Sequence, residues 1–136
     1  MSRRAPVISI SHGGGPLPLL GDPSQAGIID GLKNKVPTIL KLGTAEQPRA
    51  IVLVTAHWST DIPTISGAEK HELYYDYGGF PRETYQLKYN APGSPEVAAL
   101  VKGALEERGL KGRLDLSRGT APYRIHPYVQ TNICAI

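Results

Sequence analysis

The chain has 136 residues, of which 40% are hydrophobic and 20% charged, and carries a formal charge of +3 at neutral pH. That length fits one domain able to bury a core, and the balance of apolar and charged residues excludes a disordered or fibrous chain. The basic residues, among them Arg3, Arg4, Lys33, Lys70, Lys102 and Arg113, are scattered, so no nucleic-acid surface is expected; no apolar run approaches a membrane span, and without a signal-peptide core the expected compartment is cytoplasmic.

Residues 6–11 and 50–56 read as strands. The second is so uniformly apolar that burial on both faces within a parallel sheet is expected. Between them, Gly13-Gly-Gly-Pro-Leu-Pro18 reads as loop, and residues 24–42 as helical material interrupted at Pro37. Strand, helix and strand in that order form a βαβ unit, whose crossover is right-handed in nearly all cases. Residues 62–66 predict another short strand, 71–81 a long aromatic and glycine-rich loop, and 85–89 a further strand. The clearest helix spans residues 95–108, with Ser94 as its cap, Pro95 in its first turn, Gly109 at its end, and Val97, Ala98, Leu100, Val101, Ala104 and Leu105 along one face. A last strand is expected at 113–117. From Gly119 onward no helical or alternating period is legible, so residues 1–119 are read as one portion of a domain and 120–136 as a divergent tail without a stable place in the core.

The single Cys134 excludes an internal disulfide and a cysteine-rich zinc site, so a metal would be held by histidines and carboxylates. His12 and His57 each stand just past the end of an expected strand, at matching places on what should be parallel neighbours. Open α/β sheets bind ligands at that carboxyl edge, and strands about 4.8 Å apart allow both imidazoles to reach one ion through bonds of about 2.1 Å. Glycines 13–15 permit a close backbone approach to a ligand. The same loop could instead cradle a phosphate, although it matches neither a P-loop nor a dinucleotide fingerprint. His71, flanked by Glu69, Glu72 and Asp76, is expected on an exposed charged loop. Tyr74, Tyr75, Tyr77 and Phe80 either line an aromatic pocket or anchor their own loop. No Ser/His/Asp nucleophile is legible, and no catalytic residue is assigned.

Four blocks carry a resemblance: Ile8-Ser-Ile-Ser-His-Gly-Gly-Gly-Pro16, Pro48-Arg-Ala-Ile-Val-Leu-Val-Thr-Ala-His-Trp58, Tyr75-Asp-Tyr-Gly-Gly-Phe-Pro81 and Tyr89-Asn-Ala-Pro-Gly-Ser-Pro95. In order and spacing they resemble the class III extradiol ring-cleavage dioxygenases, in their 4,5-DOPA dioxygenase branch, from about Val7 to Gly119. The resemblance implies an α/β fold, a three-layer α/β/α domain with a largely parallel central sheet, here truncated. It also implies that His12 and His57 are two ligands of a mononuclear Fe(II) site, or of Zn(II) in some members. The partners it implies are dioxygen and a small aromatic diol, a catechol such as DOPA, with no nucleic acid or membrane. After Ser117-Arg-Gly119 the family continues with a Trp-Asp-His-Gly segment that carries its acid/base histidine, whereas this chain reads Thr120-Ala-Pro-Tyr-Arg-Ile-His126, and His126 matches no motif. A retained intron or a frameshift is the expected origin of that switch, and an inactive chain its expected consequence. Two alternatives stand beside the enzyme: a non-catalytic metal-binding or regulatory remnant, and a phosphate-ligand binding domain.

Overall fold

In the computed structural model, which describes residues 5–117 apart from 56, 74, 76 and 90, a 3₁₀ turn at Leu17–Leu20 is followed by a longer helical run that begins where Asp22 caps a second 3₁₀ turn, Pro23–Gln25. The chain then winds through α1 (Ala26–Asp30), a π turn (Gly31–Lys35) and α2 (Val36–Leu40) without leaving helical backbone. The break expected at Pro37 is therefore absent. Pro37 lacks an N–H, and its ring crowds the carbonyl four residues back; the widened turn just before it, in which Val36 N–H bonds Gly31 O, accommodates both. Lys41, in the left-handed region at φ 52°, ends the run by donating its N–H to Pro37 O and Thr38 O.

Leu32, Val36 and Leu40 recur every four residues on this run and form a buried core stripe, against which Ile8, Ile10, Ile28, Leu42 and Ile51 pack. Residues 6–11 and 50–55 are neither helical nor paired and alternate in exposure, as extended backbone does: Ile8, Ile10, Ile51 and Leu53 are half-buried, whereas Val7, Ser9, Val52 and Val54 face out. Two expectations are corrected here. Neither segment forms a ladder among the described residues, and the burial is one-sided, with Val7 100% and Val54 82% exposed. The physical reason is that the described residues supply one helical layer, on one side only. Ala56, the last residue of the second expected strand, lies outside the described residues.

The α/β character resides in the second half of the chain. β1 (Thr64–Ser66) and β4 (Arg113–Asp115) pair in parallel, with Ile65 opposite Leu114. Arg113 N–H to Pro63 O and Gly67 N–H to Asp115 O extend the pair at both ends. The crossover carries α3 (Pro95–Glu106), which packs on both strands and buries Ala98 completely. Its ends follow the sequence signals: Ser94 Oγ accepts from Val97 N–H at 3.3 Å, and beyond the last turn Gly109 takes φ 76° while Leu110 N–H returns to Leu105 O. Of the apolar face expected on α3, Leu100 remains 66% exposed. Within the crossover lies a small antiparallel pair, β2 (Lys70–His71) with β3 (Ala91–Pro92).

The strand expected at 85–89 does not form: Tyr85 and Gln86 belong to a 3₁₀ turn, Arg82–Gln86, and residues 87–89 carry no ladder. Both the N–H and the hydroxyl of Thr84 donate to Pro81 O, and such local bonds draw the chain into a turn in competition with a ladder. The tail expected at 120–136 lies outside the described residues. Among the described residues no helix is long and apolar enough to cross a membrane.

Candidate metal centre

Side chains two residues apart on an extended chain share a face, so His12 follows Ile8 and Ile10, and His57 follows Ile51, Leu53 and Thr55. Ile8, Ile10 and Ile51 are anchored on the core stripe, which carries both histidines to the same end of the packed segments. There the two rings meet edge to face, with centroids 5.0 Å apart and planes at 61°, and with Nε2 atoms 3.1 Å apart. That spacing carries chemical information. Two ligands each about 2.1 Å from one ion are about 3.0 Å apart at an octahedral angle and about 3.4 Å apart at a tetrahedral one. The pair therefore fits adjacent positions of a single divalent ion. Among the described residues no group of three or more His, Cys, Asp or Glu side chains is arranged to hold a metal.

The loop after His12 is packed by protein rather than left open. Gly13 and Gly15 adopt φ of 74° and 54°, a region where side chains are strained. A Cβ on Gly13 would overlap Gln25 Oε1 and Ile28, and one on Gly15 would lie 2.5 Å from Phe80 Cζ. Gly14 N–H donates to Gln25 Oε1 at 3.2 Å. The glycines thus admit side chains of the same chain.

Gln25 is oriented in turn. Asp22 Oδ1 accepts from the Ser24 N–H at 2.8 Å and from the Ser24 hydroxyl at 2.6 Å, and these bonds hold the Asp22 carboxyl below its usual range. With its hydroxyl hydrogen directed at Asp22, Ser24 Oγ accepts from Gln25 Nε2 at 3.2 Å, which turns Oε1 toward Gly14. Asp30 is likewise lowered, by Asn34 first and then by Lys35, while burial raises the Tyr89 phenol.

The aromatic loop forms its own cluster. Tyr77 stacks against Phe80 and Tyr85 at 5.4 and 5.0 Å, and Tyr75 lies 6.2 Å from both Tyr77 and Tyr85. Tyr75, Tyr77 and Tyr85 donate their hydroxyls to the carbonyls of Leu87, Thr84 and Tyr77 respectively. Anchoring the loop is thus the role their geometry displays. Tyr74 and Asp76 lie outside the described residues. His71 corrects the sequence expectation most sharply: it is 2% exposed, with Nδ1 3.2 Å from the buried Ser66 Oγ, because the β2–β3 pair folds it inward beneath Gly93. Gln25, Ser24 and the seat of Phe80 on Gly15 went unread in the sequence; only Asp22-Pro-Ser24 carries a local signal, that of an Asx turn.

The model of the family described as the catalytic LigB subunit of aromatic ring-opening dioxygenase matches residues 6–119. The chain belongs to this family. It is 58% identical over 107 residues to dioxygenase tasH of Hapsidospora irregularis, a match covering 78% of this chain and 33% of that protein. It is also 41% identical over 76 residues to a 4,5-DOPA dioxygenase extradiol of Beta vulgaris, covering 55% of this chain and 28% of that one. The corresponding protein of Mirabilis jalapa is 36% identical over 74 residues, covering 54% and 28%. The chain thus spans about a third or less of the length of these curated relatives.

Proposed function

We propose that His12 and His57 are two of the protein ligands of a mononuclear Fe(II) or Zn(II) centre serving extradiol cleavage of a small aromatic diol, a catechol of the DOPA kind, by dioxygen in the cytoplasm. The observation that carries this reading is the 3.1 Å separation of the two Nε2 atoms, the spacing of neighbouring ligands on one ion. Family membership supplies the reaction class. A bound metal would contribute a Lewis-acidic centre with positions open to the diol oxygens and to dioxygen.

The chain's own residues do the remaining work. Both imidazoles must present their Nε2 lone pairs, which places the ring protons on Nδ1. Thr55 Oγ1 accepts the His57 backbone N–H at 3.1 Å and fixes the chain where that ligand leaves it. The packed glycine loop does the same for His12. No acid/base is assigned to a described residue, and two protein ligands hold an ion weakly.

The phosphate reading lacks comparable support, since Gly14 N–H is already donated to Gln25. The test is anaerobic loading with Fe(II), followed by oxygen and catechol, with the yellow ring-opened product monitored. Weak binding, lost in His12→Ala and His57→Ala, is expected, with turnover at least about 100-fold below that of a curated relative, because no described residue takes an acid/base role. Turnover matching the relative would contradict the expected inactivity, and binding that survives both substitutions would contradict the ligand assignment.

A further inference from the structure

A ligand histidine on a loop needs that loop held to within a fraction of an ångström, and here the loop is gripped from two directions. On one side runs the hydrogen-bonded line from Asp22 through Ser24 to Gln25, ending on Gly14 N–H, two residues past His12. On the other, the edge of the Phe80 ring sits over Gly15, with Cζ its nearest atom to the glycine face. Phe80 is itself held against Tyr77, whose hydroxyl is tied to Thr84 O at 2.7 Å. Two segments distant in sequence therefore converge on one tripeptide, and each contact is one that a Cβ at Gly13 or Gly15 would destroy.

We infer that Gln25 and Phe80 are positioning residues for His12, clamping the Gly13–Gly15 loop so that the His12 imidazole is held at ligand distance from that of His57. The inference rests on the metal-site reading above. It adds a specific dependence: affinity at the histidine pair should fall when either jaw is removed, even where the fold persists. Loss of an outer partner that orients a metal ligand weakens binding by about 10- to 100-fold, and that is the effect expected of Gln25→Ala and of Phe80→Ala. Gln25→Glu keeps an acceptor for Gly14 N–H but loses the donor to Ser24 Oγ, and should bind more tightly than Gln25→Ala and more weakly than the unsubstituted chain. Phe80→Tyr places a hydroxyl on the very atom that faces Gly15, and should weaken binding despite its similarity.

The experiment is a Co(II) titration of the full 136-residue chain, followed by quenching of its single tryptophan, Trp58, beside His57. Each variant is paired with a thermal melt and with ¹⁵N NMR of the His12 ring in metal-free protein. Ala98→Gly, in the buried contact of α3, serves as a destabilised control remote from the loop. The expected result is weaker Co(II) binding and an altered His12 ring signal in Gln25→Ala and Phe80→Ala, with Ala98→Gly melting earlier but binding Co(II) unchanged. If His12→Ala abolishes binding while Gln25→Ala and Phe80→Ala leave affinity and ring signal intact, the clamp is wrong and the metal site stands. Affinity falling equally in Ala98→Gly would reduce the effect to general stability and overturn the clamp. Should His12→Ala itself bind Co(II) normally, both are overturned.

Discussion

A single carboxylate shows how the loop after His12 depends on ionisation. Asp22 accepts two bonds from Ser24, and its pKa lies below the ordinary value for aspartate because of them, the side-chain bond first. A group with a depressed folded pKa stabilises the native state above its unfolded pKa, about 3.9 for aspartate, and that contribution is lost as pH falls through the folded value. Acidification below about pH 4 should therefore lower the melting temperature of the chain more than that of Asp22→Asn, which lacks the titration. Parallel acid titrations of the two melting curves check this. Identical pH dependence would show that Asp22 contributes nothing through its charge. The approach of His12 to His57 was legible in the sequence because each follows an alternating apolar segment, a local property, although neither segment forms a ladder among the described residues. Gln25 was not, since its bond to Gly14 spans eleven residues and depends on the Ser24 hydroxyl donating to Asp22.

Elements were legible where their ends carry their own chemistry. α3 begins at Pro95 after the Ser94 cap and ends before Gly109, as its sequence signals predict. The short strands at 64–66 and 113–115 fall inside the expected segments. The turn at 82–86 was hidden because an apolar alternation at 85–89 outweighed the Thr84 bonds to Pro81 O. The burial of His71 was hidden for another reason: no neighbour in sequence announces it, and only the pairing of β2 with β3 turns it inward. Gly93 makes that pairing possible, since a Cβ there would overlap the backbone carbonyl of Ala68 and crowd His71 Nε2. Gly93→Ala is therefore expected to destabilise the chain by about 1–3 kcal/mol, the usual range for overpacking, with loss of amide protection at His71. Denaturant unfolding with hydrogen exchange measures both. Unchanged stability would mean that the β2–β3 pair closes less tightly around His71 than described.

At the scale of the molecule, one helical run covers one side of two extended segments, and the parallel pair β1–β4 with α3 forms the other packed body of residues. Val7, Val52 and Val54 show apolar faces to solvent beside those segments, a surface of the kind that invites association. The sequence expectation of two-sided burial at 50–56 came from composition, which registers how apolar a segment is but not whether a second layer lies against it. The histidine pair survives that correction, because its geometry needs only the side of each segment that is packed. The central claim, that these two rings share one ion, is tested most directly by titrating the ¹⁵N-labelled chain with Zn(II), a diamagnetic probe, and following the imidazole nitrogens. The prediction is that Nε2 of His12 and Nε2 of His57 move together at the same ratio of zinc to protein while both Nδ1 atoms stay protonated, and that His12→Ala removes the response of His57. Zinc binding in which only one ring responds, or neither, would contradict it.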